Sequence, residues 1–561
     1  MTTEFEEKKR PSSPPIEENG TNKELNNNSN QDKFKKSKKS KLKRYRPKPT
    51  DQTSPLGVLD FEIKHLCQEH NISLDDIKND LTGILNDKLI EEKYHRIVEN
   101  VKILQFLSNG EGIALIPHIE SDKKYQVVLV PFGIPGDIVT IKIFKTHPLY
   151  AESDLLSIES NSNIRNDSLI QCRYFGKCSG CQFQDISYEE QLNIKRTTII
   201  NAYKHFAPKL TELGLLPEVS KCQGSPLQYN YRTKLTPHFN IPTKKTGADL
   251  EERPNFGFGS KGRPTWRKNT DFGPSGAIMD IEECKIGTEI VNIGLKNERI
   301  RLDKTYKNYK KGATILLREN TKIKTENFEL DEASKDINDK ISNIEIAEQD
   351  ETIVKTCVTN SRQVVQEIIG GYRFEFSAGE FFQNNNSILP LVTSYVKENL
   401  LQGTNNYLVD AYCGSGLFSI TCSENVSKVI GVEVSADSVN FARHNANLNN
   451  IKNAKFIVGK AEEIFKDIDT PSQQTSVILD PPRKGCDDVF LNQLSSYNPA
   501  KIVYVSCNVH SQARDVEWFL NHTTNGYKYM VESIKGFDFF PQTHHIESVA
   551  VLSLKENEEA N

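Results

Sequence analysis

The feature that most constrains the fold is an alternation of short apolar runs and helical stretches between Tyr407 and Cys507. Tyr407-Leu408-Val409-Asp410, Lys428-Val429-Ile430-Gly431-Val432-Glu433, Ala454-Lys455-Phe456-Ile457-Val458 and Ser476-Val477-Ile478-Leu479-Asp480 read as strands, as does Val503-Tyr504-Val505-Ser506. Leu417 to Ile420 and Ser435 to Asn449 read as helices between them. Strand, helix, strand at this rhythm predicts a doubly wound α/β sheet. Such sheets place their chemistry at the C-terminal ends of the strands, and Cys507 falls at one of them. A lone cysteine is more often a small buried residue. What gives this one weight is its surroundings, Asp480-Pro481-Pro482-Arg483 upstream and Phe540-Pro541-Gln542-Thr543-His544-His545-Ile546-Glu547 downstream. On that ground Cys507 is a candidate nucleophile.

A chain of 561 residues is too long for one core. Residues 1–55 are rich in Pro, Ser, Asn, Glu and Lys and are expected to form a disordered basic tail. Its Lys/Arg run from Lys33 to Arg46 suits a nuclear localisation signal, an RNA tether or a merely solvated tail. Residues 56–100 read as a short helical segment. In 101–160, glycine turns separate short strands, and Ile138-Val139-Thr140-Ile141-Lys142-Ile143 alternates with period two, which predicts a small oligonucleotide-binding (OB)-like β-barrel. A small α+β central domain with an insertion is expected over 161–370, and the α/β domain over 371–561. No run of about 18 apolar residues is present, so no membrane span is expected. The N-terminus lacks a signal core and is too acidic for a transit peptide. Eleven cysteines without a secretory signal suggest reduced thiols in an intracellular protein of the nucleus and/or cytoplasm. No obligate protein partner is evident, and a monomer is expected.

Several motifs carry chemistry. Cys172, Cys178 and Cys181 lie within ten residues and suggest a metal site, for zinc or an iron–sulfur cluster. A fourth ligand would be Cys222 or, preferably, Cys284; reduced, unmetallated thiols are the plain alternative. Tyr229 to His238 interleaves aromatic and basic residues, including Arg232 and Lys234, as RNA stacking and phosphate contacts require. Asp410-Ala411-Tyr412-Cys413-Gly414-Ser415-Gly416 is a strand entering a glycine turn and a helix, and Glu433 ends the next strand where it can bind ribose hydroxyls. Ser419 stands where a dinucleotide fingerprint needs its third glycine, so the shorter turn suits S-adenosylmethionine, which has no pyrophosphate.

Together these motifs resemble the RNA uracil-5-methyltransferases, over about Ile103 to Leu554. The resemblance implies a Rossmann-like adenosylmethionine-dependent methyltransferase domain and an N-terminal TRAM (OB-like) barrel that binds RNA. By motif it makes Cys507 the nucleophile and Glu547 the base. Gln383 in Phe381-Phe382-Gln383-Asn384-Asn385, with Tyr412, Glu433 and Asp480, falls on the cofactor positions. Cys172, Cys178, Cys181 and Cys284 match a four-cysteine pattern of ribosomal-RNA members, which implies a 4Fe-4S cluster. The tailed architecture matches tRNA members instead, and tRNA is the expected partner. The expected reaction is C5 methylation of the T-loop uridine 54 in tRNA, through a Cys507–C6 adduct resolved by Glu547. The alternatives are the same reaction on ribosomal RNA, or a non-catalytic RNA-binding or chaperone protein.

Overall fold

The protein's structure is a computed structural model that describes residues 50–555, apart from 120, 263–276, 327, 331–334, 337, 339, 349–350, 404, 425, 461–463 and 466–467. The expected tail lies, up to residue 49, outside the described residues, and so does its Lys/Arg run. The first helix, α1 (Pro55–Glu69), starts where Ser54 accepts a hydrogen bond from Gly57 N at 3.2 Å and Pro55 occupies the first turn, where its missing N–H costs nothing. Leu59, Ile63 and Leu66 of α1 share a core with Leu107, Ile113, Val127 and Leu129, whereas Val58 joins the core of the main sheet. The helix is thereby wedged between two modules.

The first module is a six-stranded sheet of β1 (Ile97–Lys102), β2 (Gln105–Phe106), β3 (Gly112–His118), β4 (Ser121–Val130), β5 (Ile138–Thr146) and β6 (Ala151–Ser160), in the order β1-β5-β6-β4-β3-β2. In β5, Val139, Ile141 and Ile143 are buried while Ile138, Thr140 and Lys142 are not, which is the period-two pattern of a strand with one covered face.

The main sheet has eight strands. It comprises β7 (Ser220–Gln223), β8 (Tyr407–Ala411), β9 (Lys428–Glu433), β10 (Ala454–Val458), β11 (Thr475–Leu479), β12 (Lys501–Ser506), β13 (Tyr529–Phe537) and β14 (Glu547–Leu554), ordered β10-β9-β8-β11-β12-β14-β13-β7. All neighbours run parallel except β14, which is antiparallel to both β12 and β13. The edge strand β7 comes from well before the α/β segment in sequence. Both faces are covered, which is why the strands read as near-continuous apolar runs. In β12, Ile502 and Tyr504 pack on one face, with α2 (Tyr188–Phe206) and α3 (Val509–His522); Val503 and Val505 pack on the other, with Phe374, Phe376 and Val392.

Between the modules a four-stranded sheet joins Lys234–Leu235, Leu317–Ile323, Glu351–Val358 and Asn343–Glu348 and packs on the helix Glu289–Thr305. Three of those strands, Leu317–Ile323, Asn343–Glu348 and Glu351–Val358, fall in the region where an insertion was expected. Among the described residues, no helix is long and apolar enough to cross a membrane.

Candidate active site

Every parallel strand of the main sheet ends at one edge, so the segments after β8, β9, β11 and β12 converge there. Strand β8 passes into a turn at Tyr412, whose φ of 66° is left-handed, and continues through Gly414 (φ 53°) and Gly416 (φ 93°). A side chain at Gly416 would be strained by that φ and would press on Ala442 at 3.4 Å, so glycine is required there. Glu433, at the end of β9, holds the turn in place: its Oε2 accepts from Gly414 N at 3.3 Å and its Oε1 from Ser435 N at 2.9 Å. Beneath the turn, Asp410 is buried and accepts from Ser419 Oγ at 2.6 Å. Burial pushes its carboxyl up to about 7.

The turn floors a cavity of about 1000 Å³ whose wall includes Gln383, Tyr412, Glu433, Asp480 and Cys507. Gln383 and Asp480 make no side-chain hydrogen bond among the described residues. Burial, reinforced by the charge of Asp410, raises Asp480 to about 7. An amide and a carboxyl group that line one cavity without partners of their own can serve a ligand with donors and positive charge. S-adenosylmethionine, an amino-acid sulfonium with a ribose for Glu433, fits that demand.

Cys507 follows β12 directly and precedes α3, whose N-cap is Asn508. The turn around it is pinned from three sides. Asn508 Oδ1 accepts from His510 N at 3.2 Å, and Asn508 Nδ2 donates to Arg483 O at 2.9 Å and to Thr53 O at 3.2 Å. In the antiparallel register Ser506 pairs with Ser548, so Cys507, just past the end of β12, comes next to Glu547 at the start of β14. Burial, then the charges of Glu547 and Asp480, push the Cys507 thiol up to about 12; Arg483 opposes them. Burial, then Asp480, raises Glu547 to about 8, again against Arg483. Burial lowers His545 to about 4 and His544 further, so neither imidazole carries positive charge at neutral pH. Among the groups acting on Cys507, the cation is Arg483.

The loop before Glu547 is held by residues to which the sequence assigned no such role. Lys195 on α2 is fully buried, donating to Asp538 Oδ1 at 2.6 Å and Phe540 O at 3.0 Å. Gln191 exchanges two hydrogen bonds with Gln542, whose φ is 70°, and Tyr231 donates to Pro541 O at 3.0 Å. Arg232, expected to face RNA, lies over the Phe540 ring at 5.6 Å. A lysine on an amphipathic helix leaves no sequence signal of such a role.

The four cysteines behave differently from expectation. Cys172, Cys178, Cys181 and Cys284 are near enough for their charges to act on one another, but among the described residues no group of three or more His, Cys, Asp or Glu is arranged to hold a metal ion. The thiols pack instead against two apolar clusters, Cys172 and Cys181 beside the six-stranded module and Cys172, Cys178 and Cys284 in the central region. The expected metal site and 4Fe-4S cluster are therefore not supported.

A family model described as tRNA (uracil-5-)-methyltransferase matches residues 317–555, and one described as TRAM domain matches residues 92–156. The chain is 56% identical over 537 residues to the tRNA (uracil(54)-C(5))-methyltransferase of Saccharomyces cerevisiae, an alignment covering 92% of this chain and 84% of that protein. It is 42% identical over 519 residues to the protein of the same name in Schizosaccharomyces pombe, covering 91% and 85%. Among solved structures, a Pyrococcus abyssi tRNA (uracil-54, C5)-methyltransferase in complex with S-adenosyl-L-homocysteine shares the fold, with a TM-score of 0.52 at 21% identity over 81% of this chain and all of that one. The six-stranded module is a TRAM domain and the main sheet is the Rossmann-like methyltransferase core, and the chain belongs to the tRNA (uracil-5-)-methyltransferase family.

Proposed function

We propose that the protein methylates C5 of uridine 54 in tRNA, with Cys507 as nucleophile and Glu547 as base. C5 of uracil is too weak a nucleophile to take a methyl group unaided. Addition of the Cys507 thiolate to C6 converts the ring to an enolate with negative charge at C5, which is covalent catalysis. S-adenosylmethionine, held by Gln383, Tyr412, Glu433 and Asp480, supplies the electrophilic methyl group when bound. Glu547 then removes the C5 proton, the C5–C6 double bond re-forms and the cysteine sulfur leaves. A carboxyl raised to about 8 is a stronger base than an ordinary one, and its strength is matched to neutral solution.

The resting thiol, held near 12, must lose its proton before attack. Arg483 and the start of α3 are the local features that favour the thiolate. The observation that carries the reading is that Cys507 and Asp480 line one cavity while the buried Glu547 is close enough for its charge to act on Cys507 and for that of Asp480 to act on it. The yeast relatives' names supply the tRNA position. Labelled adenosylmethionine incubated with unmodified tRNA and, separately, ribosomal RNA tests it. Label at C5 of uridine 54 is expected; label only in ribosomal RNA, or none, would overturn it.

A further inference from the structure

A second cavity of about 340 Å³ lies beside the first, and the two share Arg483, Lys484 and Cys507 as their common wall. Its floor is apolar, made by Val58, Leu59, Val509 and Ile546. Its sides bring together three separate parts of the chain: the Thr53–Ser54 entry to α1, the Ser108–Asn109 turn of the TRAM domain and His545 of the catalytic loop. These parts are fastened to one another. Ser108 Oγ donates to Glu62 Oε1 at 2.5 Å and lies 3.2 Å from His510 Nε2, and Asn508 reaches Thr53 O. The α1 segment lies outside both family-model matches, 92–156 and 317–555.

The chemistry of the proposed reaction says which cavity takes the reacting base. The thiol attacks C6 and the methyl arrives at the adjacent C5, and two bulky sulfur groups cannot approach neighbouring carbons from one face. The ring therefore stands between Cys507 and the cofactor, in the larger cavity. The smaller one, behind the thiol, is left for something else covalently close to that base. An apolar floor with polar sides suits the faces and edges of an unstacked nucleobase. The imidazole of His545 makes no hydrogen bond among the described residues, nor do the side chains of Arg483 and Lys484 make any hydrogen bond or salt bridge. Arg483 and Lys484, on the partition and with side chains lacking hydrogen-bond or salt-bridge partners among the described residues, offer positive charge to a phosphate between two neighbouring nucleotides.

We infer that the cavity walled by α1, the TRAM turn and the catalytic loop binds the RNA nucleotide adjacent to the target uridine, with the intervening phosphate against Arg483 and Lys484. The inference rests on the uridine reading above. Its test is direct binding of an RNA hairpin carrying the target uridine, compared with hairpins made abasic at each flanking position in turn. Wild-type protein is expected to lose about 10-fold in affinity at one flanking position, as removal of a single stacked base does. Thr198 lines only the smaller cavity, and Thr198→Phe should fill it. That variant is expected to bind the intact hairpin about 10-fold more weakly, to lose the position dependence, and to keep its affinity for adenosylmethionine, which reports that it folds. Lys484→Ala should lower the slope of log affinity against log salt by about 0.7, one released counterion. Equal affinity for all abasic hairpins, or a position dependence that survives Thr198→Phe with cofactor binding intact, would overturn the inference. Binding is read apart from methyl transfer, so a hairpin bound with this dependence but never methylated would sink the reaction and leave the pocket standing.

Discussion

Glu547→Gln should make the protein more stable, and by an amount that depends on pH. The substitution keeps the shape of the side chain and removes its charge. In the folded protein the carboxyl titrates near 8, against 4.5 ordinarily, because it is buried beside Asp480. A carboxyl raised in this way supports the fold fully below its unfolded value and ceases to do so as pH rises through the folded one. The rise corresponds to about 5 kcal/mol when the group is fully ionised, at 1.36 kcal/mol per tenfold change in acidity. The glutamine is indifferent to pH. Asp480, whose charge adds to the rise of Glu547, is present in both proteins, so the comparison reports Glu547 with that coupling included. Urea unfolding of wild type and variant at pH 5 and pH 9 measures the effect. The variant's advantage should be small at pH 5 and reach several kcal/mol at pH 9. An advantage that stays constant, or shrinks as pH rises, would refute the claim that Glu547 is held neutral by its surroundings.

Three further outcomes follow from the site. Turnover at saturating cofactor and tRNA should rise with pH through about 8, because Glu547 must be ionised to remove the C5 proton; a pH profile of kcat checks this. Lys195→Met should cost about 3–5 kcal/mol by leaving Asp538 buried without its cation, and should lower kcat through the loop that carries Glu547; adding Asp538→Asn should return most of the stability but not the loop geometry, as paired unfolding and kinetic measurements would show. Glu433→Ala removes the acceptor for Gly414 N and Ser435 N, and calorimetry should find adenosylmethionine bound about 10-fold more weakly or worse.

The main sheet was legible because strands buried on both faces must be written as apolar runs, and β9 and β10 begin and end where those runs do. Gln383, Tyr412, Glu433, Asp480 and Cys507 were legible as motif positions, and the structure brings them to one cavity, with Glu547 beside Cys507. What the sequence concealed depends on contacts between distant segments. Nothing in Ser220–Gln223 announces that it will pair with β13, and nothing in α1 announces that Thr53, just before its cap, will meet Asn508. Cys172, Cys178, Cys181 and Cys284 show the opposite failure. Close spacing of thiols is what both a metal site and a packed pair of apolar clusters produce, and among the described residues no group of three or more is arranged to hold a metal ion.

The central claim is that Cys507 bonds to the RNA and Glu547 releases it. Glu547→Gln protein incubated with adenosylmethionine and unmodified tRNA, then denatured and resolved by size, tests this most directly. The account predicts that a covalent protein–RNA species accumulates with Glu547→Gln and is absent from the double variant Cys507→Ala/Glu547→Gln. Adduct formation in the absence of the Cys507 thiol, or normal turnover by Cys507→Ala alone, would contradict it.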